Sequence, residues 1–214
     1  MFFRNFVDFL NRIDVSIFYF INLNLSSVFM DWLMKVFTDF NFSRKVLLFF
    51  IAFLALLKWR LRALWIIFLM GLAVGLSDLT SSQILKKLIG RIRPCHVLEN
   101  ARLVVNCSSS FSFPSSHCAN IFGALTVLMR INPNTIAILL PLGLLVAISR
   151  VYMGVHYPSD ALGGIAVGVF SGLFVVYVGK LMELKFENTS FINACRKIDS
   201  FSLKSVIKKW HELL

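Results

Sequence analysis

Five long apolar runs, Val46 to Leu57, Ala63 to Ser77, Cys118 to Met129, Thr135 to Ser149 and Ala161 to Gly179, constrain this chain more than any other feature. Only the last exceeds the roughly 18 residues that let one helix cross a bilayer unaided. The others need flanking residues, or polar groups shielded by neighbouring helices. Buried helices of a large soluble protein would also give short runs, but 214 residues offer too little polar surface to wrap five of them. The sequence therefore predicts an all-α polytopic membrane bundle of five transmembrane helices. Hydrophobic residues make up 57% of the chain, phenylalanine alone 22 positions, and mean hydropathy is +0.76. One stretch could add a sixth span: Val15 to Met30, where apolar residues recur at helical spacing without a long uninterrupted run. The preferred reading of Met1 to Phe42 is one or two amphipathic helices lying in the interface. Asp8, Asp14 and several asparagines break Met1 to Leu25, which argues against a cleavable signal peptide.

The organisation follows as an N-terminal interfacial segment (1–43), a transmembrane unit (44–180) and a basic tail (181–214). The net charge of +11 raises nucleic acid as a ligand. However, the cations sit between apolar runs rather than on a soluble basic face, so lipid and topology explain them better. Lys58, Arg60 and Arg62, then Arg130, then the tail cations fall on one side of alternating spans, the cytoplasmic side by the positive-inside rule. The opposite side receives Lys86 to His117 and Arg150 to Asp160, whose cations run against that rule. Cations kept on the wrong side point to a bound anion. Gly164, Gly168 and Gly172 recur every four residues and predict a close helix contact rather than chemistry. Cys95 and Cys107 share a polar loop and stand either as a disulfide or as two free thiols. No cysteine, histidine or carboxylate cluster has metal-ligand spacing, so no cofactor is expected. Asp78, a carboxylate inside an apolar run, is read as the structural partner of a nearby cation. Lys87 and Arg91 are read as solvated, snorkelling cations.

Three clusters carry the chemistry. Lys86, Arg93 and Pro94 fit Lys-x6-Arg-Pro. Pro114, Ser115, Ser116 and His117 open the third apolar run. Ser149, Arg150, His156 and Asp160 fit Ser-Arg-x5-His-x3-Asp. In this order and spacing they resemble the type 2 phosphatidic acid phosphatase superfamily of membrane lipid phosphatases, over about Leu76 to Gly164. The resemblance implies that Lys86, Arg93 and Arg150 clamp a phosphoryl group, and that Ser115 and Ser116 add donors at a helix N-terminus. It further implies that His156 attacks phosphorus, Asp160 orients the imidazole, and His117 protonates the leaving oxygen and then activates water. The family usually has glycine at the position of Ser116. The implied substrate is a phosphate or diphosphate of a membrane lipid, such as undecaprenyl diphosphate, phosphatidylglycerol phosphate or lipid A 1-phosphate. The expected place is the outer face of a bacterial-type inner membrane, with the C-terminus cytoplasmic and no obligate protein partner. A non-catalytic lipid-phosphate binding or transport protein needs the same cations but not the His117, His156 and Asp160 trio. A haloperoxidase-like oxidation fits poorly, because those relatives are soluble.

Overall fold

The computed structural model describes residues 2–38 and 60–185. The expected span Val46 to Leu57 and nearly all of the basic tail lie outside the described residues. The regular elements among the described residues are helices, without a strand: α1 (Phe2–Tyr19), α2 (Val28–Thr38), α3 (Arg60–Asp78), α4 (Lys86–Ile89), α5 (Pro94–Val97), α6 (Ser116–Ile131), α7 (Ile136–Tyr152) and α8 (Pro158–Lys185). A π-helical turn, Leu79–Leu85, carries α3 into α4, and another, Phe20–Asn24, extends α1.

By length and composition three helical stretches can cross a bilayer: the α3–α5 stretch from Leu64, α7, and α8. The α1–α2 pair, bent by 117°, makes a fourth if it counts as one broken or re-entrant span. That bend falls inside Val15 to Met30, so the stretch does not cross as one straight helix. The 16 residues of α6 are too few to span on their own. This helix instead forms the centre of the bundle, against α3, α7 and α8, with Cys118, Ala119, Phe122 and Val127 buried. The glycine stripe explains the closeness. A Cβ on Gly164 would lie 2.4 Å from the Ser115 carbonyl oxygen, and one on Gly168 would lie 2.4 Å from that of Ala119. Small residues thus let the α8 backbone rest on α6, as the spacing predicts.

Helix α1 reverses the usual amphipathic arrangement. Phe9, Leu10, Ile13 and Ile17 are exposed, whereas Asp14, Phe18 and Asn22, four residues apart, are buried. An apolar outer face suits lipid, and the polar inner face makes specific bonds. The Asn22 amide donates to the carbonyls of Arg102 and Tyr152, both at 2.8 Å, and its oxygen accepts from the Arg102 N–H. On α2, Asp31 pairs with Arg102 and accepts from the Tyr152 hydroxyl at 2.6 Å. The N-terminal helices are thereby fastened to the end of α7 and to the loop before α6.

Candidate active site

The chain turns back at Asn132–Thr135 between α6 and α7, so the start of α6, the end of α7 and the start of α8 share the other end of the bundle. Pro158 opens α8, as its fixed φ favours at a first helical position. His156 therefore precedes the helix and Asp160 lies in its first turn, as the spacing predicts. Gly90, in the left-handed region at φ +63°, ends α4 and turns the chain so that Arg93 follows.

His156 is 1% exposed and lies between a cation and a carboxylate. Arg93 Nη1 is 3.1 Å from its Nε2, and Asp160 Oδ2 is 3.5 Å from its Nδ1. A guanidinium can only donate, so Nε2 accepts and the ring proton stays on Nδ1, facing Asp160. The Nε2 lone pair thus points at the cation cluster. Burial holds the His156 imidazole down to about 4; Asp160 pulls the other way, and Arg93 and Arg150 reinforce the burial effect. The ring is therefore neutral near pH 7.

Lys86, Arg93 and Arg150 are 8%, 5% and 8% exposed, and Lys86 and Arg150 each feel the repulsion of Arg93. Arg93 spends its donors on the Ser110 carbonyl (2.7 Å), the Val155 carbonyl (3.0 Å), the Ser110 hydroxyl (2.9 Å) and His156. None of these is a carboxylate. Arg150 Nε has no hydrogen-bond partner among the described residues. Gathering buried cations without matching carboxylates is costly unless an anion joins them.

Ser115 fits the same site. Its N–H donates to the Asp160 carbonyl at 2.9 Å, and its buried hydroxyl has no oxygen or nitrogen partner among the described residues. His117, one residue into α6, is exposed and within electrostatic reach of His156, Lys86, Arg93 and Arg150. The Ser116 hydroxyl is instead engaged with Ser82 at 2.8 Å, and Ser82 donates to Asp78 at 2.9 Å. Only the Ser116 backbone N–H, in the open first turn of α6, remains for an anion. Asp78 thus anchors hydroxyls and the Asn120 amide (3.4 Å), and also attracts Lys86.

Several contributors escape a reading of the sequence alone. Arg91 is not a snorkelling cation: its Nη1 donates to Asp160 Oδ1 at 2.8 Å and its Nη2 to Asp14 Oδ2 at 2.6 Å. Its guanidinium also lies 4.0 Å from the Tyr157 ring centre. A signal existed in its position two residues before Arg93, but charge alone does not separate a buried pair from a solvated one. Ser112 is fully buried, donates its hydroxyl to Asp160 Oδ2 and its N–H to the Arg91 carbonyl. It sits in a serine-rich loop with no periodicity to single it out. Cys95 and Cys107 are joined as a disulfide at the base of that loop. With His96 they form a compact group that sequence spacing does not reveal, but both thiols are consumed by the bond.

Comparison with known proteins agrees with this geometry. The lipid A 4'-phosphatase of Bacteroides thetaiotaomicron is 27% identical over 195 residues, covering 85% of this chain and 84% of that protein. Phosphatidylglycerophosphatase B of Bacillus subtilis is 36% identical over 119 residues, half of this chain and 55% of its own length. The crystal structure of Aquifex aeolicus LpxE superposes with a TM-score of 0.64 at 26% identity, over 76% of this chain and 94% of that one. The family model described as the PAP2 superfamily matches residues 62–181, more than half the sequence and all three clusters. The chain belongs to the PAP2 superfamily, the type 2 phosphatidic acid phosphatases.

Proposed function

We propose that this chain is an integral membrane phosphatase that hydrolyses a phosphate monoester or diphosphate of a membrane lipid through a phosphohistidine at His156. One observation carries the reading: a buried imidazole whose Nε2 faces Arg93 while Nδ1 faces Asp160. The similarity to lipid A 4'-phosphatase and phosphatidylglycerophosphatase B supports a lipid phosphate as substrate. Lys86, Arg93 and Arg150, with Ser115 and the N–H groups of Ser116 and His117, hold the phosphoryl oxygens. Arg93 exchanges its bond to Nε2 for one to a phosphate oxygen, freeing the nucleophile. Nε2 attacks phosphorus, the bond to the lipid oxygen breaks, and His117 gives that oxygen its proton. Desolvation and the surrounding cations hold the His117 imidazole down to about 3; the bound phosphate's negative charge offsets those cations and lets it carry the proton. Asp160 stabilises the cationic ring. His117 then takes a proton from water, whose oxygen attacks phosphorus as the P–N bond breaks, and inorganic phosphate leaves. Fixed cations supply the transition-state charge stabilisation, so the reaction proceeds without a metal.

The active site faces the outer side of a bacterial-type inner membrane, and the tail lies in the cytoplasm. Loop charges and a disulfide beside the site, which suits an oxidising compartment, support this orientation. No partner protein is needed. The test is phosphate release by purified protein in excess EDTA from a panel of lipid A, phosphatidylglycerol phosphate and undecaprenyl diphosphate. Release from at least one lipid, lost in His156→Ala, is expected. Strict metal dependence, or an active His156→Ala protein, would falsify the mechanism. Binding without release from any lipid would favour a carrier instead.

A further inference from the structure

A link between α1 and the site stands outside the family-matched segment. Asp14 is 7% exposed on the inner face of α1, far in sequence from residues 62–181. Its Oδ1 accepts the Ser159 N–H at 2.8 Å, and its Oδ2 accepts from Arg91 Nη2 at 2.6 Å. Arg91 Nη1 reaches both the Ser159 hydroxyl, at 2.6 Å, and Asp160 Oδ1. One guanidinium thus spans two buried carboxylates, one on the N-terminal helix and one beside His156. It lies over the Tyr157 ring, which in turn packs on Phe18 of α1.

We propose that Asp14 and Arg91 are positioning residues for His156, with α1 supplying the outer half of an Asp14–Arg91–Asp160–His156 chain that fixes Asp160 and apportions its charge. The inference rests on the phosphohistidine reading above. A planar, five-donor cation suits the bridge, whereas a lysine point charge cannot span both carboxylates and the Ser159 hydroxyl together. The consequence is electrostatic as well as geometric. Arg91 partly neutralises Asp160, so removing it leaves the full carboxylate charge on the imidazole. Asp14 in turn draws on Arg91, so neutralising Asp14 turns more of the cation's charge toward Asp160. The two changes therefore push His156 basicity in opposite directions, which loss of a mere structural brace does not do.

Other charged groups face this chain. Arg93 and Arg150 lie against His156, with His117 in reach, and Lys86, Arg93, Cys118 and Tyr157 act on Asp160. All are unchanged by the two substitutions, so they set a common baseline.

The experiment measures kcat and KM against pH for the full chain on whichever panel lipid it hydrolyses. Wild type, Arg91→Met, Arg91→Lys, Asp14→Asn and His156→Ala are compared, with Asp8→Asn, exposed on α1, as a control. Arg91→Met is expected to lower kcat about 100-fold with KM nearly unchanged, and to raise the acid limb by about one pH unit. Arg91→Lys restores the limb but only part of kcat. Asp14→Asn lowers kcat about 10-fold and leaves the limb at or below the wild-type position. Asp8→Asn behaves as wild type. An Arg91→Met limb no higher than that of wild type, or an Asp14→Asn limb raised above it, overturns the inference. If Arg91→Met does not fold, Asp14→Asn with Arg91→Lys decides, since unchanged kcat in both equally overturns it. An active His156→Ala protein instead removes the underlying reading.

Discussion

Asp160 accepts from the Tyr157 N–H at 2.8 Å, from the Ser112 hydroxyl and from Arg91 before it meets His156. A carboxylate so tied cannot rotate away from the imidazole, and each bond holds its ionised form. Ser112→Ala removes one of these and leaves the rest of the site in place. Hydrogen bonds to charged groups are worth about 1.5–3 kcal/mol, so kcat is expected to fall about 10- to 100-fold with KM little changed. Initial rates on the hydrolysed lipid check this. The buried histidine also sets a pH dependence of stability. His156 holds off its proton until about 4, whereas an unfolded chain protonates histidine near 6.5. Between those values the unfolded state binds more protons, so stability falls as pH drops from about 6.5 to about 4, and this contribution is complete above the window. Thermal melts in detergent across that range should show the slope, reduced in His156→Gln. Lys86, Arg93, Arg150, His156 and Asp160 could be singled out in the sequence through the spacing of their motifs and the cost of charge beside apolar runs, and the structure buries all five. Ser112 and Asp14 could not be, because a single serine in a serine-rich loop and an aspartate on a helix look alike whether bonded or solvated.

Among the elements, the pairing of α6 with α8 and the loop before α6 hold the site together. At Gly168, any side chain meets the Ala119 carbonyl and the Gly123 nitrogen, both backbone atoms that cannot move aside cheaply. Gly168→Ala is expected to cost about 1–3 kcal/mol and to lower the melting temperature in detergent. Gly71, which has open space around a Cβ, should accept alanine without such loss. The loop matters differently: it carries Ser110, which holds Arg93, and Ser112, which holds Asp160, and the Cys95–Cys107 disulfide ties the chain three residues before Ser110 to α5. Cys95→Ser or added dithiothreitol should therefore lower kcat more than KM, checked by assays with and without reductant. The glycine repeat announced its helix contact through spacing alone. The N-terminal helices were harder, because α1 turns its polar side inward. A sequence shows that two faces differ, not which one meets protein.

At the scale of the whole molecule, a short central helix surrounded by longer ones puts all three sequence clusters at one end of the bundle. The apolar runs foretold the helical class, and the described residues bear this out. The number of spans is less legible, since α6 is short and α1–α2 is bent. The proposed orientation is tested by topology fusions: an alkaline phosphatase fusion after Asn100 should be active and one after Asn134 inactive. The central claim is covalent, and phosphoenzyme trapping tests it most directly. Purified protein is mixed with lipid carrying labelled phosphate, quenched within milliseconds in base and digested. The expected result is acid-labile, base-stable label on the peptide bearing His156, absent from His156→Ala. Rapid phosphate release with no labelled peptide, or label on another residue, would contradict the account.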